Sequence, residues 1–342
     1  MMQRIFFPLI VITAGLLLSP AALFASDELE PIVRKDTLSA SDRARIDTIV
    51  GQRVKRLEDA ASDPRRRRDA RDALIETSQV QNATPAGMEA YASACSSGLV
   101  SSLTSEDLGL SLDAVQILQK IDHPRTADAL AAGLRSPHAA VRYRSAAVLK
   151  GLQKRLAGDA ATCRGILGAL GRAGAEETNE LALRAIYEAI NFKSAGTEFK
   201  ANDEMAAALL DIFAGRLDSL SRVGRDEWKD ISGFEAAAAC FKDASESRRK
   251  ELVKSLYLFL ANDVDRYAAE STSSEYLPTL VSATRAAEQA LSRMIRDGGA
   301  DPINSTISSS MNPRRSDADK KAVRDSLAAL KAALDRTPWP AP

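Results

Sequence analysis

Two stretches of this chain repeat one spacing of apolar residues 31 positions apart. Leu99 and Leu103 stand 31 residues before Leu130 and Leu134, and Ala114, Ile117, Leu118 and Ile121 stand 31 before Ser145, Val148, Leu149 and Leu152. A single offset therefore aligns two separate patterns, each with helical spacing. A fixed period of this size narrows the fold to stacked helix pairs. One pair cannot cover its own apolar face, so the next pair must. A third copy follows with looser register. Ile166 and Leu170 lie 36 residues after Leu130 and Leu134, and Leu183, Ile186, Tyr187 and Ile190 lie 38 after the Ser145 set. The spacing predicts helices over 85–102 and 105–121, then 124–135 and 137–154, then 160–172 and 177–191. The extra two residues are assigned to a longer turn at Gly171-Arg172-Ala173-Gly174.

Helices are expected on both sides of these repeats. Ile46, Ile49, Val50, Val54 and Leu57 make one apolar stripe in a helix that begins near Ser41. Asp63-Pro64, Thr84-Pro85 and Ser136-Pro137 read as helix starts, with a capping side chain and proline in the first turn. Thr104 with Asp107 resembles a capping box. After Asn191 the register is lost, yet stripes continue at Met205–Leu217, Leu252–Val264, Tyr276–Ile295 and Val323–Leu334. The 226–242 helix is interrupted by Gly233. No sustained alternation marks a strand. The fold class is therefore all-α, a superhelix of stacked antiparallel helix pairs. The expected division is N-terminal helices over 26–84, repeats over 85–196, and degenerate repeats or a bundle over 200–297. A Gly/Ser-rich flexible loop (298–316), a C-terminal helix (317–336) and a Pro-rich tail (337–342) complete it.

Residues 1–25 read as a signal peptide, with Arg4 before an apolar run that is short for a span and a small residue, Ala25, at the cleavage position. The expected location is periplasmic or extracellular, with no membrane span after signal removal. The chain holds 46 basic and 46 acidic residues. Without Arg4 the balance is close to −1, which argues against nucleic acid as a partner. The cysteines are Cys95, Cys163 and Cys240, an odd count that leaves at least one thiol free. Cys95 and Cys163 fall two repeats apart. Helix layers sit about 8–10 Å apart, beyond the roughly 7 Å Cα limit of a disulfide, so buried thiols are expected.

The block Leu134-Arg135-Ser136-Pro137-His138-Ala139-Ala140-Val141-Arg142-Tyr143-Arg144-Ser145-Ala146-Ala147-Val148-Leu149 resembles a HEAT repeat of the short bacterial type. That type carries Leu, a short turn with Asp or Ser and Pro, then Val-Arg, Ala-Ala and Leu. The resemblance implies that Val141 enters the core and Arg142 ties neighbouring layers. The other two repeats depart from it, with Leu110-Ser111 and Asn179-Glu180 at the Val-Arg positions. The fold is what the resemblance implies. Its members include scaffolds, lyases and glycosylases, so no activity follows.

Residues able to carry chemistry are sparse. His123 and His138 end opposite sides of one helix, about 18 Å apart by its rise, and read as exposed loop residues without a shared metal. No Gly-x-Ser-x-Gly elbow, phosphate-binding loop or CxxC is present. No catalytic, cofactor-binding or metal-ligating residue is therefore expected. Arg65-Arg66-Arg67-Arg68 points around most of a helix and reads as a solvated face paired with nearby Asp residues. The best-placed surface is the second helix of the second repeat. There Tyr143, Arg144, Lys150, Lys154 and Arg155 lie outside the core set and form the candidate partner-binding face. The expected function is an exported scaffold or protein-binding module without catalysis, with another protein as partner. The alternative is a cell-envelope enzyme using a carboxylate pair.

Overall fold

The computed structural model describes residues 28–60, 62–196, 199–223, 227–269 and 272–342, so the signal-peptide expectation lies outside the described residues. Every regular element among them is helical. The α-helices are α1 (Glu30–Val33), α2 (Ala40–Asp59), α3 (Pro64–Ser78), α4 (Pro85–Gly98), α5 (Val100–Leu103), α6 (Leu108–Ile121), α7 (Ala127–Gly133) and α8 (Ala139–Leu156). They continue as α9 (Ala160–Glu176), α10 (Glu180–Ile190), α11 (Asn202–Val223), α12 (Ile231–Cys240), α13 (Glu246–Ala268), α14 (Leu277–Asp297), α15 (Ile307–Ser310) and α16 (Asp317–Leu334).

The helices alternate between two layers. Successive neighbours in the first layer are α2, α4, α7, α9, α11 and α13, and in the second α3, α6, α8, α10, α12 and α14. Each first-layer helix also packs on the second-layer helix that follows it. The alternation runs on past Asn191 through α11–α14, and α15 and α16 close the end against α13 and α14. The apolar residues of the repeat register lie between the layers. Leu99, Leu103, Leu130, Leu134, Ile166 and Leu170 are buried in one row, and Ile117, Leu118, Leu149, Leu152, Ile186 and Ile190 in the other. Each such side chain stabilises the stack by roughly 1.5–3 kcal/mol.

Local chemistry explains most helix starts. Asp63 accepts from the Arg65 and Arg66 amides, and Thr84 from Gly87 N, each ahead of proline. Ser136-Pro137 departs from the expectation. Helix α8 starts two residues later, with His138 at its N-cap, while the Ser136 hydroxyl accepts from the His138 amide. The Thr104 box is also replaced, because Asp107 itself caps α6 through Leu110 N. The expected turn at Gly171–Gly174 is helix, since α9 runs to Glu176. A Cβ on Gly171 would lie 3.0 Å from Ala208 Cα, and one on Gly174 would lie 2.4 Å from Ile212 Cδ1. These glycines let α11 approach α9 closely. Gly233 does not break α12 either. Its missing side chain makes room for the Tyr187 and Phe213 rings.

The 298–316 segment lacks apolar periodicity, yet it is anchored. Ile303, Ile307 and Met311 are buried, and the buried Glu288 carboxylate of α14 accepts from Ile307 N, Ser308 N and the Ser305 hydroxyl. The tail is anchored too, for the buried Trp339 ring packs edge-on against Phe241 with centroids 5.2 Å apart.

Candidate functional site

Polar side chains join one helix pair to the next, and this decides which surface charges remain free. Lys150 pairs with Glu188 at 2.9 Å, so two positions 38 apart in sequence touch across α8 and α10. Gln153 donates to the carbonyls of Glu188 and Ala189. Arg155 Nη2 lies 2.6 Å from Asp122 at the end of α6. Arg125 pairs with Glu89, and Arg164 with Glu204. Arg142 makes the most enclosed of these ion pairs. Its Nε and Nη2 donate to both oxygens of Glu177 at 2.7 and 2.9 Å, and Nη1 donates to the Ser136 and Pro137 carbonyls. Val141, beside it, is fully buried.

The arginine run splits by position. Arg65 and Arg68 face solvent, and Arg66 pairs with Asp63. Arg67 instead reaches from α3 to Asp113 of α6 at 3.0 Å, where Arg71 also pairs at 3.1 Å. The histidines are half-buried rather than exposed. His123 Nδ1 accepts from the Arg125 amide, and burial pushes its pKa below the usual value. His138 Nε2 lies 3.0 Å from the Glu106 carbonyl. Both therefore serve loop geometry.

The five residues of the expected face divide as well. Lys150 and Arg155 are committed to Glu188 and Asp122. Tyr143, Arg144 and Lys154 are exposed, and among the described residues neither Arg144 nor Lys154 has a carboxylate partner. Sequence reasoning missed the residues that extend this face. The exposed large apolar side chains among the described residues are Val100, Leu108, Tyr143 and Leu181, and the last three start or lie on α6, α8 and α10. Tyr143 is 44% exposed and Leu181 is 61% exposed. The offsets of 31 and 38 that align the cores also align Leu112, Tyr143 and Leu181. Leu112 is half-buried, with Leu108, 42% exposed, one turn before it. Equivalent positions on three successive helices thus form a ladder of apolar side chains. At 100° per residue, Ala147, Lys150 and Lys154 share the outer crown of α8 with Tyr143, while Gln153 turns toward α10.

On the first layer, α7 and α9 leave an open cleft of about 670 Å³. Ala131, Ala132, Ala169 and Ala173 line it beside Asp128, Arg135, Arg172 and Glu176, and the Arg142–Glu177 pair also lines it. Its buried carboxylate, Glu177, is already held by Arg142, so it offers no buried acid free for catalysis. Among the described residues no group of three or more His, Cys, Asp and Glu side chains is placed to hold a metal ion, and no helix is long and apolar enough to cross a membrane.

All three cysteines are unbridged and buried. Burial pushes the Cys95 and Cys240 thiols up to about 12 and that of Cys163 to about 11. A raised thiol pKa means that the unreactive protonated form prevails at neutral pH. Native protein is therefore expected to give almost no reaction with a thiol reagent such as DTNB at pH 7.5, and three equivalents after unfolding in guanidinium. Rapid labelling of one thiol in the native state would contradict the buried placement. No protein-family model and no curated protein matches this chain.

Proposed function

We propose that this chain is an exported, non-catalytic scaffold of HEAT type that binds another protein through its second-layer helices α6, α8 and α10. One observation carries the reading. Leu112, Tyr143 and Leu181 occupy one register position on three neighbouring helices; Leu112 is half-buried and packs against the core, whereas Tyr143 and Leu181 stand exposed, and the fold has no use for exposed apolar groups there. Scattered surface apolar residues need no explanation, but a periodic row does. Repeat stacks bind through such extended faces. The link from Arg142 to the next pair and the buried Val141 support the HEAT-type reading. The apolar run and small residues of 1–25 support export.

The test is capture from a cell-envelope extract. Wild-type protein is expected to retain a partner that the Tyr143→Asp/Leu181→Asp double variant loses by about tenfold or more, as expected for central apolar contacts. Both positions are exposed, so the variant should melt within a few degrees of wild type. Equal capture by the two proteins, or turnover of an envelope polymer by the pure chain with no partner recovered, overturns the reading.

A further inference from the structure

We propose that the hollow beside Phe241 is a recognition seat for a proline-flanked aromatic side chain, which the chain's own tail fills in cis and vacates without unfolding of the stack. Trp339 is 3% exposed, whereas Pro338, Pro340 and Pro342 around it are exposed. One side chain is therefore inserted, and the backbone that carries it stays outside. Separate elements shape the seat. Phe241, just after α12, meets the ring edge-on, and the Arg249 guanidinium of α13 lies 6.0 Å from its centroid. Gly298, just after α14, leaves the space that the ring fills, since a Cβ there would overlap the indole. The seated tail itself defines what fits. Its prolines hold the backbone extended and have no amide to satisfy, so a segment of this kind presents a ring at little entropic cost.

Two features make the contact reversible. The first is how the tail is tied. Thr337 N and Oγ1 donate to Leu334 O, Trp339 N donates to Thr337 Oγ1, and Lys331 donates to the Pro342 carbonyl. Among the described residues these bonds stay within the tail or reach α16, so departure of the ring breaks no hydrogen bond to α12–α14. Helix α16 keeps its own hold through buried Val323, Leu330 and Leu334. The second is the cost of closure. Trp339 Nε1 and Arg249 Nε are both enclosed without an acceptor. Burying the ring favours the seat, but each unpaired donor opposes it, and both regain water when the ring leaves. The closed form prevails, and opening exposes so little surface that it responds weakly to urea.

Hydrogen exchange of the Trp339 indole N–H tests the opening. Its protection factor is expected to fall at least about a hundredfold below those of the Leu256 and Leu260 amides of α13 and to change little with urea. Equal protection and equal urea dependence would mean that the ring leaves only on global unfolding, which overturns the proposal. Gly298→Ala fills the seat from the stack's side. In a Trp228→Phe background it should shift Trp339 emission to longer wavelength with helical circular dichroism unchanged. Unshifted emission, or lost helicity, counts against a separable seat. Recognition is tested with a labelled peptide of residues 335–342, followed by fluorescence anisotropy. The full chain carrying Trp339→Ala should bind it at least about tenfold more tightly than wild type, whose tethered tail competes. Adding Gly298→Ala to that chain, or replacing the peptide's tryptophan with alanine, should abolish binding. Failure of the peptide to bind the Trp339→Ala chain, or equal binding to wild type, overturns the seat.

Discussion

Phe213→Ala is expected to cost about 3–5 kcal/mol, the range for deleting a fully buried aromatic ring. Phe213 of α11 is fully buried and meets three other rings. Its centroid lies 6.2 Å from Tyr187 of α10, 6.0 Å from Phe234 of α12 and 5.5 Å from Phe259 of α13. The cluster therefore spans four helices and both layers. It lies where the readable repeats give way to the helices that follow Asn191. Beside it the Tyr187 hydroxyl donates to buried Asp230 at 2.6 Å, and Arg216 Nε lies 3.2 Å from the same oxygen. Rings and polar groups together fix the seam, so the cavity left by alanine cannot collapse cheaply.

The loss should also be local in its consequences. A stack with contacts only between neighbours behaves as a sum of units and interfaces. Weakening one interface then separates the unfolding of its two sides. Trp228, Trp339 and Cys240 follow Phe213 in the chain, whereas Cys95 and Cys163 precede it. With Cys240 replaced by alanine, tryptophan fluorescence and labelling of Cys95 and Cys163 along a urea gradient should share one midpoint when Phe213 is present and part in the Phe213→Ala variant. Phe213→Leu keeps most of the apolar volume and should lose much less. A cost under about 1 kcal/mol, or coincident midpoints in the alanine variant, would contradict a continuous core at this seam.

The 31-residue period was a sound guide to the layers because it is carried by buried residues, whose spacing local helical geometry dictates. The same register held information that apolarity alone concealed. Leu112, Tyr143 and Leu181 obey the offsets of the core, but an apolar residue in a periodic sequence looks like core wherever it stands. That Tyr143 and Leu181 stand exposed while Leu112 is half-buried emerges only once the neighbours are placed. Gly171, Gly174 and Gly233 misled for the converse reason. Glycine marks turns on local grounds, and here its use is long-range, as space for Ala208, Ile212, Tyr187 and Phe213. Charge patterning failed likewise at Arg67 and Lys150. Nearby acids suggested local pairing for Arg67, and Lys150 was assigned to a partner-binding face, while their partners lie 46 and 38 residues away, at Asp113 and Glu188. Helical existence is a local property and was legible. Which charges stay free is a property of stacking and was not.

Arg142→Ala is expected to destabilise the protein by about 3–5 kcal/mol, the cost of leaving a buried charge without its partner. The Glu177 side chain is 1% exposed and receives two charged hydrogen bonds from Arg142, against one from the Asn179 amide. Arg142 also holds the Ser136 and Pro137 carbonyls, so one guanidinium ties the turn before α8 to the turn before α10. Its planar fork fits both tasks, which a lysine ammonium cannot do together. Arg142→Lys should therefore recover less than half of the loss. Arg142→Met/Glu177→Leu removes both charges and should recover most of it, since an apolar pair of similar volume often matches a buried ion pair. Urea midpoints of the four proteins measure this directly. If Arg142→Ala costs below about 1 kcal/mol, the pair behaves like a surface salt bridge. The motif would then owe its place to helix packing through Val141, and the tie between successive helix pairs would rest on the apolar register alone.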